Sequence, residues 1–294
     1  MTRPATAFAV AAIGIASYSA MDALVKGLAI AHGAYSAVLW RSVAGVVLLA
    51  PVFVARRTRF PGRQAMILHA ARGTVGGASV LLFFWGLVRV PMAQGVALTF
   101  LAPLIALYLA AVLLGETIAR GAILGSLVAS LGVLAIAGGQ VQAQASTDAV
   151  LGSVAIVVAS ILYAGSLILL RRQAQVADPL EVALFTSIVL SVLLLAGAPW
   201  FAGVPPVARL PEIFATAALG SVSAVLLAWA YGRAEAQVLA PVEYTAFVWS
   251  AMLGWLVFGE HVSAWTAGGA LLIITGSLVA VRGKPVIPQT EAAA

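Results

Sequence analysis

The chain has 294 residues, 63% of them hydrophobic and only 9% charged, with 16 Lys and Arg against 10 Asp and Glu and no cysteine. Soluble domains carry about 25% charged residues, so this composition excludes an ordinary soluble domain and indicates a chain that lives mostly in lipid. The missing cysteines exclude disulfides, thiolate metal sites and cysteine nucleophiles.

A helix needs about 20 mainly apolar residues to cross a hydrocarbon core of about 30 Å. Ten segments meet that length, at 5–28, 34–55, 65–89, 92–114, 120–139, 149–170, 181–201, 211–233, 237–258 and 263–282. The first begins behind a single arginine and lacks a small-residue cleavage site, which predicts a retained span instead of a removed signal peptide. The connection after the second span holds Arg56, Arg57, Arg59 and Arg63, which places it in the cytoplasm. Ten spans then put both termini on that side, together with Arg3, Arg120, Arg171, Arg172, Arg233, Arg282 and Lys284, whereas Lys26, Arg89 and Arg209 fall on the other. The net charge of +6 is thus explained by topology, with no call for a nucleic-acid partner.

The chain repeats itself at an offset of 144 residues (259 − 115). That offset pairs Gly76 with Gly220, Leu82 with Leu226, Trp85 with Trp229, Arg89 with Arg233, Gly115-Glu116 with Gly259-Glu260, Gly125 with Gly269 and Gly132 with Gly276. Matches of Leu and Gly arise easily in such a composition; coinciding Trp and Arg do not. Each half holds five spans, and an odd number forces the second half to enter the membrane in the opposite sense. The predicted fold is therefore an all-α integral membrane protein with ten transmembrane helices in two five-helix inverted-topology repeats, at 5–139 and 149–282, followed by a cytoplasmic tail at 283–294. In this architecture the substrate site lies between the halves near the midplane.

The pattern Pro103…Gly115-Glu116…Gly125…Gly132, its recurrence as Gly259-Glu260…Gly269…Gly276, and the stretch PVEYTAFVWSAMLGWLVFGE at 241–260 resemble the EamA family of the drug/metabolite transporter superfamily. The resemblance covers essentially the whole chain, and its motifs are diffuse, supporting fold and transport better than cargo. It implies ten spans without fused domains, both termini cytoplasmic in a bacterial-type inner membrane, and alternating access for a small metabolite. Within the superfamily the expectation is the YddG-like exporters of aromatic amino acids, although no residue singles that group out. One departure is that Phe247 stands where the offset would place a proline, the second half having Pro241 instead.

Ionisable groups inside a span cost roughly 2.5–3.5 kcal/mol each and need a partner or a watery cavity. Depth along the spans suggests two pairs, Asp22 with Arg41 in the outer leaflet and Arg72 with Glu243 in the inner one. Each pair is either a static lock on helix packing or a place where the carboxylate and ammonium of a zwitterion bind; Glu243 is also a candidate for proton exchange. Lys26 can alternatively reach Asp22 at i,i+4 on the same helix. Phe247, Ser250 and Gly254 share the Glu243 face of the ninth span, a largely small-residue stripe suited to close packing or to a ligand.

An aromatic cargo would be held by stacking and burial. Tyr18, Tyr163 and Tyr244 are the better cavity candidates; Trp85 and Trp249 join them, Trp85 also suiting an interfacial belt. Gln94 can bond a substrate, cap its helix or face water. Pro103 and Pro241 interrupt spans four and nine and are candidate hinges or static kinks. Glu116 and Glu260 are read as structural, each carboxylate favouring the positive end of the helix that follows it.

These features predict a secondary transporter that exports small metabolites, aromatic or neutral amino acids first. The alternative is another cargo such as a drug-like cation, S-adenosylmethionine or a nucleotide sugar, the phosphate-bearing ones disfavoured because only Arg41 and Arg72 are available to bind them. An intramembrane enzyme is the weakest reading: His32, His69 and His261 form no HExxH, and no GxSxG is present. No GxxxxGK[ST] loop for ATP is present, and no cofactor or metal site is expected. The expected partners are the lipid bilayer and a small-molecule substrate; oligomeric state is not legible.

Overall fold

A computed structural model describes residues 4–56, 60–114, 120–143, 146–173, 175–231 and 242–281. Among these residues the chain is helical, with no strand. In chain order the helices are α1 Pro4–His32, α2 Ala34–Ala55, α3 Arg63–Leu87, α4 Met92–Thr99, α5 Ala102–Leu114, α6 Arg120–Gln142, α7 Thr147–Gln173, α8 Pro179–Phe201, α9 Leu210–Tyr231, α10 Thr245–Phe258 and α11 Ala264–Val281. A single 3₁₀ turn, Val207–Arg209, leads into α9. Eight stretches of the described residues are long and apolar enough to cross a membrane, the fourth being Met92–Leu113, which runs through α4 and α5 together. The shorter apolar helices α10 and α11 occupy the ninth and tenth predicted spans.

The ends of the helices follow from local chemistry. Gly33, at φ 82°, is the one residue between α1 and α2, and the left-handed backbone there favours glycine. Asp178 caps α8, its Oδ1 accepting from the backbone N–H of Leu180 at 2.8 Å and of Glu181 at 3.0 Å, with Pro179 opening the helix behind it. Because successive spans alternate in direction, the bundle has a proximal face, where α1 starts, and a distal face, where it ends.

The two halves pack about a pseudo-two-fold axis. In span numbers, one lies on eight (α1 on α9) and three on six (α3 on α7), contacts that the repeat exchanges; two lies on seven (α2 on α8) and five on ten (α6 on α11), contacts that it maps onto themselves. The last of these shows the symmetry at atomic detail. A Cβ on Gly132 would lie 2.5 Å from the Gly269 carbonyl oxygen, and one on Gly269 would lie 2.6 Å from the Gly132 oxygen. A Cβ on Gly276 would run into the Gly125 oxygen in the same way. Gly125 and Gly132 are the offset partners of Gly269 and Gly276, so each glycine meets the counterpart of its neighbour, as an isologous contact requires. Backbones touch here because no side chain stands between them, the usual basis of helix association in lipid.

The largest apolar cluster joins α1, α2, α3, the start of α4, α8 and α9, with Leu28, Val38, Leu39, Phe84, Leu87, Met92 and Leu194 buried toward the distal ends of their helices. Distal connections are tied down as well. Tyr35 Oη donates to the Leu194 carbonyl at 2.5 Å, Trp40 Nε1 to the Gly203 carbonyl at 2.9 Å, and Gly203 N–H to Ser36 Oγ at 3.0 Å. At the proximal face the corresponding cluster is smaller, centred on Phe53, Leu184 and Phe185. The distal face is therefore closed by packing.

Candidate functional site

Tyr18 and Asp22 of α1, Arg41 of α2, Arg72 of α3 and Tyr163 of α7 form one electrostatic cluster. Tyr18 and Tyr163 keep 43% and 47% of their surface accessible. The two tyrosines stand 145 residues apart (163 − 18), one off the repeat offset, and lie within electrostatic range of each other. Arg41 lies within hydrogen-bonding reach of Tyr18 and beside Gly220 of α9. The sequence placed Asp22 and Arg41 at one depth and Arg72 at another; the packed helices bring all three together.

Asp22 and Arg41 are in electrostatic range of each other but outside contact distance. Among the described residues the hydrogen bonds of Arg72 go to neutral side chains, where the sequence predicted an inner pair with Glu243. Its Nη1 donates to Thr186 Oγ1 at 2.9 Å and to Gln173 Oε1 at 3.3 Å, and its buried Nε has no hydrogen-bond partner among the described residues. Glu243 instead lies within electrostatic range of Tyr163 and Tyr244, and Tyr163 of both Arg72 and Glu243.

Behind Arg72 a buried polar chain links three helices. Gln173 Nε2 donates to His69 Nδ1 at 2.5 Å, His69 Nε2 meets Glu181 Oε1 at 2.8 Å, and the His69 ring stacks on Phe185 at 4.7 Å. His69, Gln173, Glu181 and Thr186 were missed as site residues in the sequence. Their one signal is that polar side chains recur just inside the proximal ends of spans three, six and seven.

At the distal face a second buried group closes the bundle. The Lys26 ammonium, 2% exposed, pairs with Glu260 Oε1, donates to the Val90 carbonyl at 2.8 Å and lies 5.1 Å from the Phe258 ring centroid. Glu260 Oε2 accepts from the backbone N–H of Met92 at 2.6 Å, serving the open N-terminus of α4. So Lys26 is not the i,i+4 partner of Asp22, and Glu260 serves not the helix after it but a helix of the other repeat. The Gly-Glu motif acquires a reason. Gly259, at φ 66°, ends α10 in the left-handed region and turns Glu260 back over Gly254, where a Cβ would lie 2.8 Å from its carboxylate. Gly254 on the small-residue stripe thus makes room for a side chain of this chain. Glu116 lies outside the described residues.

Span four breaks where proline predicted it. Phe100 and Leu101 form a tight turn between α4 and α5, with N–H bonds to Ala97 and Leu98 at 3.2 and 3.3 Å, and Pro103 sits in the first turn of α5. Carbonyls at the break are met by hydroxyls from the neighbouring spans, Leu98 by Ser160 at 3.3 Å and Phe100 by Ser277 at 3.4 Å. In the second half Tyr244, the offset equivalent of Phe100, stands at the turn before α10. The breaks therefore match although the prolines do not; Pro241 lies outside the described residues.

Three candidates are drawn away from the cluster around Arg72. Trp85 lies under the Arg89 guanidinium, 3.6 Å from carbon to ring centroid, and Arg89 Nη1 donates to the Trp85 carbonyl at 2.7 Å. This cation–π stack is what the repeated Trp-x₃-Arg spacing encodes. It stands thirteen residues, or about 20 Å, along α3 from Arg72. Gln94 is buried, its Nε2 donating to Ser153 Oγ at 3.0 Å, the oxygen that Gln140 also reaches at 2.8 Å. Trp249 packs against the cluster of Ala7, Ala11, Ile15, Ala230 and Val242 between α1 and α9.

A helical membrane bundle with two inverted five-helix repeats and helix breaks that meet between them has the architecture of a secondary transporter. The sequence profile of the EamA-like transporter family matches residues 5–138 and again 150–282, and the chain belongs to that family. It is 28% identical over 274 residues to the pseudopaline exporter CntI of Pseudomonas aeruginosa, covering 91% of this chain and 93% of that one. It is 24% identical over 276 residues to a riboflavin transporter of Brucella anthropi (90% and 95% covered). It is 23% identical over 274 residues to an S-adenosylmethionine uptake transporter of Rickettsia bellii (92% and 92%). A solved structure described only as a protein crystal structure superposes with a TM-score of 0.62 at 23% identity, covering 97% of this chain and 100% of that one, a likeness of fold alone.

Proposed function

We propose that this transporter exports a small amphipathic metabolite bearing a carboxylate, in the simplest case an aromatic or other neutral amino acid. Transport is by alternating access between the repeats at 5–139 and 149–282. The proximal face and both termini are cytoplasmic, in keeping with the arginines of the 55–63 connection. The observation that carries the cargo reading is Arg72, whose buried Nε has no partner among the described residues, beside two accessible tyrosines. A carboxylate satisfies the guanidinium, Asp22 receives an ammonium, and Tyr18 and Tyr163 take an aromatic ring between them. Closure of the distal face by Lys26 and Glu260 supports a state loaded from the cytoplasm.

A second reading, another cargo at the same site, is favoured by the range of cargos named for the relatives. Binding of labelled tryptophan, tryptamine and indole-3-propionate to the purified protein separates the two. Tryptophan is expected to bind best, and Arg72→Gln to weaken tryptophan and indole-3-propionate by about tenfold or more while sparing tryptamine. Tryptamine binding as tightly as tryptophan would overturn the carboxylate reading.

A further inference from the structure

We infer that His69 is a proton-binding site wired through Gln173 to Arg72, so that a proton at the proximal ends of α3, α7 and α8 decides how Arg72 is held. The wiring follows from which groups can donate. A guanidinium only donates, so Gln173 must turn Oε1 to Arg72 and Nε2 to His69. His69 Nδ1 is then an acceptor, the ring proton sits on Nε2, and it donates to Glu181 Oε1. Each hydrogen bond of the chain from Arg72 to Glu181 then runs from a donor to an acceptor, and the imidazole is neutral in it.

A second ring proton must sit on Nδ1, where it points at the Gln173 NH₂. The conflict is relieved when the Gln173 amide turns over and offers Oε1 to His69. Its NH₂ then faces Arg72 Nη1, two donors in opposition, and Arg72 is left with Thr186 alone. The proton thus frees the guanidinium whose Nε is already unpartnered among the described residues. Imidazole is the side chain that exchanges protons near neutral pH, and the added charge is matched by Glu181 in contact with it.

Among the described residues, Glu181 is the acid in contact with His69. The charged groups facing His69 are Glu181 on α8 and, through Gln173 of α7, Arg72 on its own helix. Asp178 is engaged in capping α8. From α2 the neighbour is the Phe53 ring, edge-on to Phe185. His69 itself is 1% exposed, but residues flanking it and Gln173, among them Ile67, Leu68, Arg172 and Gln175, line an open crevice of about 650 Å³. The consequence for transport rests on the proposed role of Arg72 in cargo binding; the proton site does not.

With three histidines in the chain, ¹⁵N-histidine labelling in lipid nanodiscs reads each imidazole, and His69→Gln assigns the one in question. The neutral form of His69 is expected to carry its proton on Nε2, and the form that appears on acidification is expected to carry protons on both ring nitrogens. The Arg72 guanidinium resonances, assigned with Arg72→Lys, are expected to move with the same midpoint. In Gln173→Leu the histidine should still titrate while Arg72 no longer follows. Gln173→Glu serves if that variant fails to fold: a carboxylate accepts from both neighbours without turning over, so Arg72 should stay put as His69 protonates. An Nδ1–H tautomer at high pH, a His69 unchanged across the range, or Arg72 shifts that persist without Gln173 would overturn the inference. No cargo enters this readout, so its failure and that of the amino-acid reading are separable.

Discussion

Phe100 and Tyr244 meet edge to face, 5.1 Å between centroids at 83°, and they are 144 residues apart (244 − 100), the repeat offset itself. Each stands at the break of its own span, so the two breaks touch where the pseudo-two-fold axis passes. If this contact registers the halves, Phe100→Ala and Tyr244→Ala should be coupled by about 0.5–1.5 kcal/mol in a double-mutant cycle of thermal unfolding. Tyr244→Phe should keep most of the contact. Additive losses would mean that each ring packs independently.

The Lys26 and Glu260 pair crosses 234 residues and ties the distal ends of α1, α4 and α10. Removing one buried partner strands the other, at a cost of about 3–5 kcal/mol. Glu260→Ala and Lys26→Ala should each lower the unfolding temperature sharply. Lys26→Met combined with Glu260→Gln should recover part of that loss, because no buried charge remains and an amide oxygen can still accept from Met92. A double variant as unstable as both single losses summed would show that the pair is not one unit.

Glycines at the contact of α6 and α11 should tolerate nothing larger. Gly132→Val and Gly269→Val place carbon against a backbone carbonyl that cannot move without separating the helices, and folded yield is expected to collapse. Gly138→Ala, on the same helix with open space around it, is the matched control and should be silent in yield and melting temperature.

Tyr18→Ala and Tyr163→Ala should raise the half-saturation concentration for tryptophan by about tenfold while leaving expression intact, since both side chains are only half-buried. Trp249→Ala is expected to do the reverse, lowering stability with little change in half-saturation, because its ring packs between α1 and α9. Transport assays beside melting curves distinguish the two patterns.

The spans and the repeat were legible because both depend on composition along the chain: hydropathy over about 20 residues marks a span, and Trp and Arg at one offset mark a repeat. Asp22, Arg41 and Arg72 stood out for a similar reason, each being costly in lipid. Their partners were not legible. Depth along a span comes from counting residues, whereas the direction a side chain faces comes from how helices pack, and the hydrogen bonds of Arg72 go to Thr186 and Gln173 where depth suggested Glu243. Glu260 was read as a structural carboxylate favouring the helix that follows it, whereas it meets the start of a helix in the other repeat. His69 looked inert for want of a motif, since Gln173 and Glu181 reach it from 104 and 112 residues away.

Flux through proteoliposomes tests the central claim most directly. Labelled tryptophan, phenylalanine and threonine would be followed with and without an imposed pH gradient, in the wild type and in Arg72→Gln confirmed to be folded. Saturable flux of at least one amino acid, depressed in the variant, is the predicted result. Folded wild-type protein that moves none of the three faster than protein-free liposomes would contradict the amino-acid assignment.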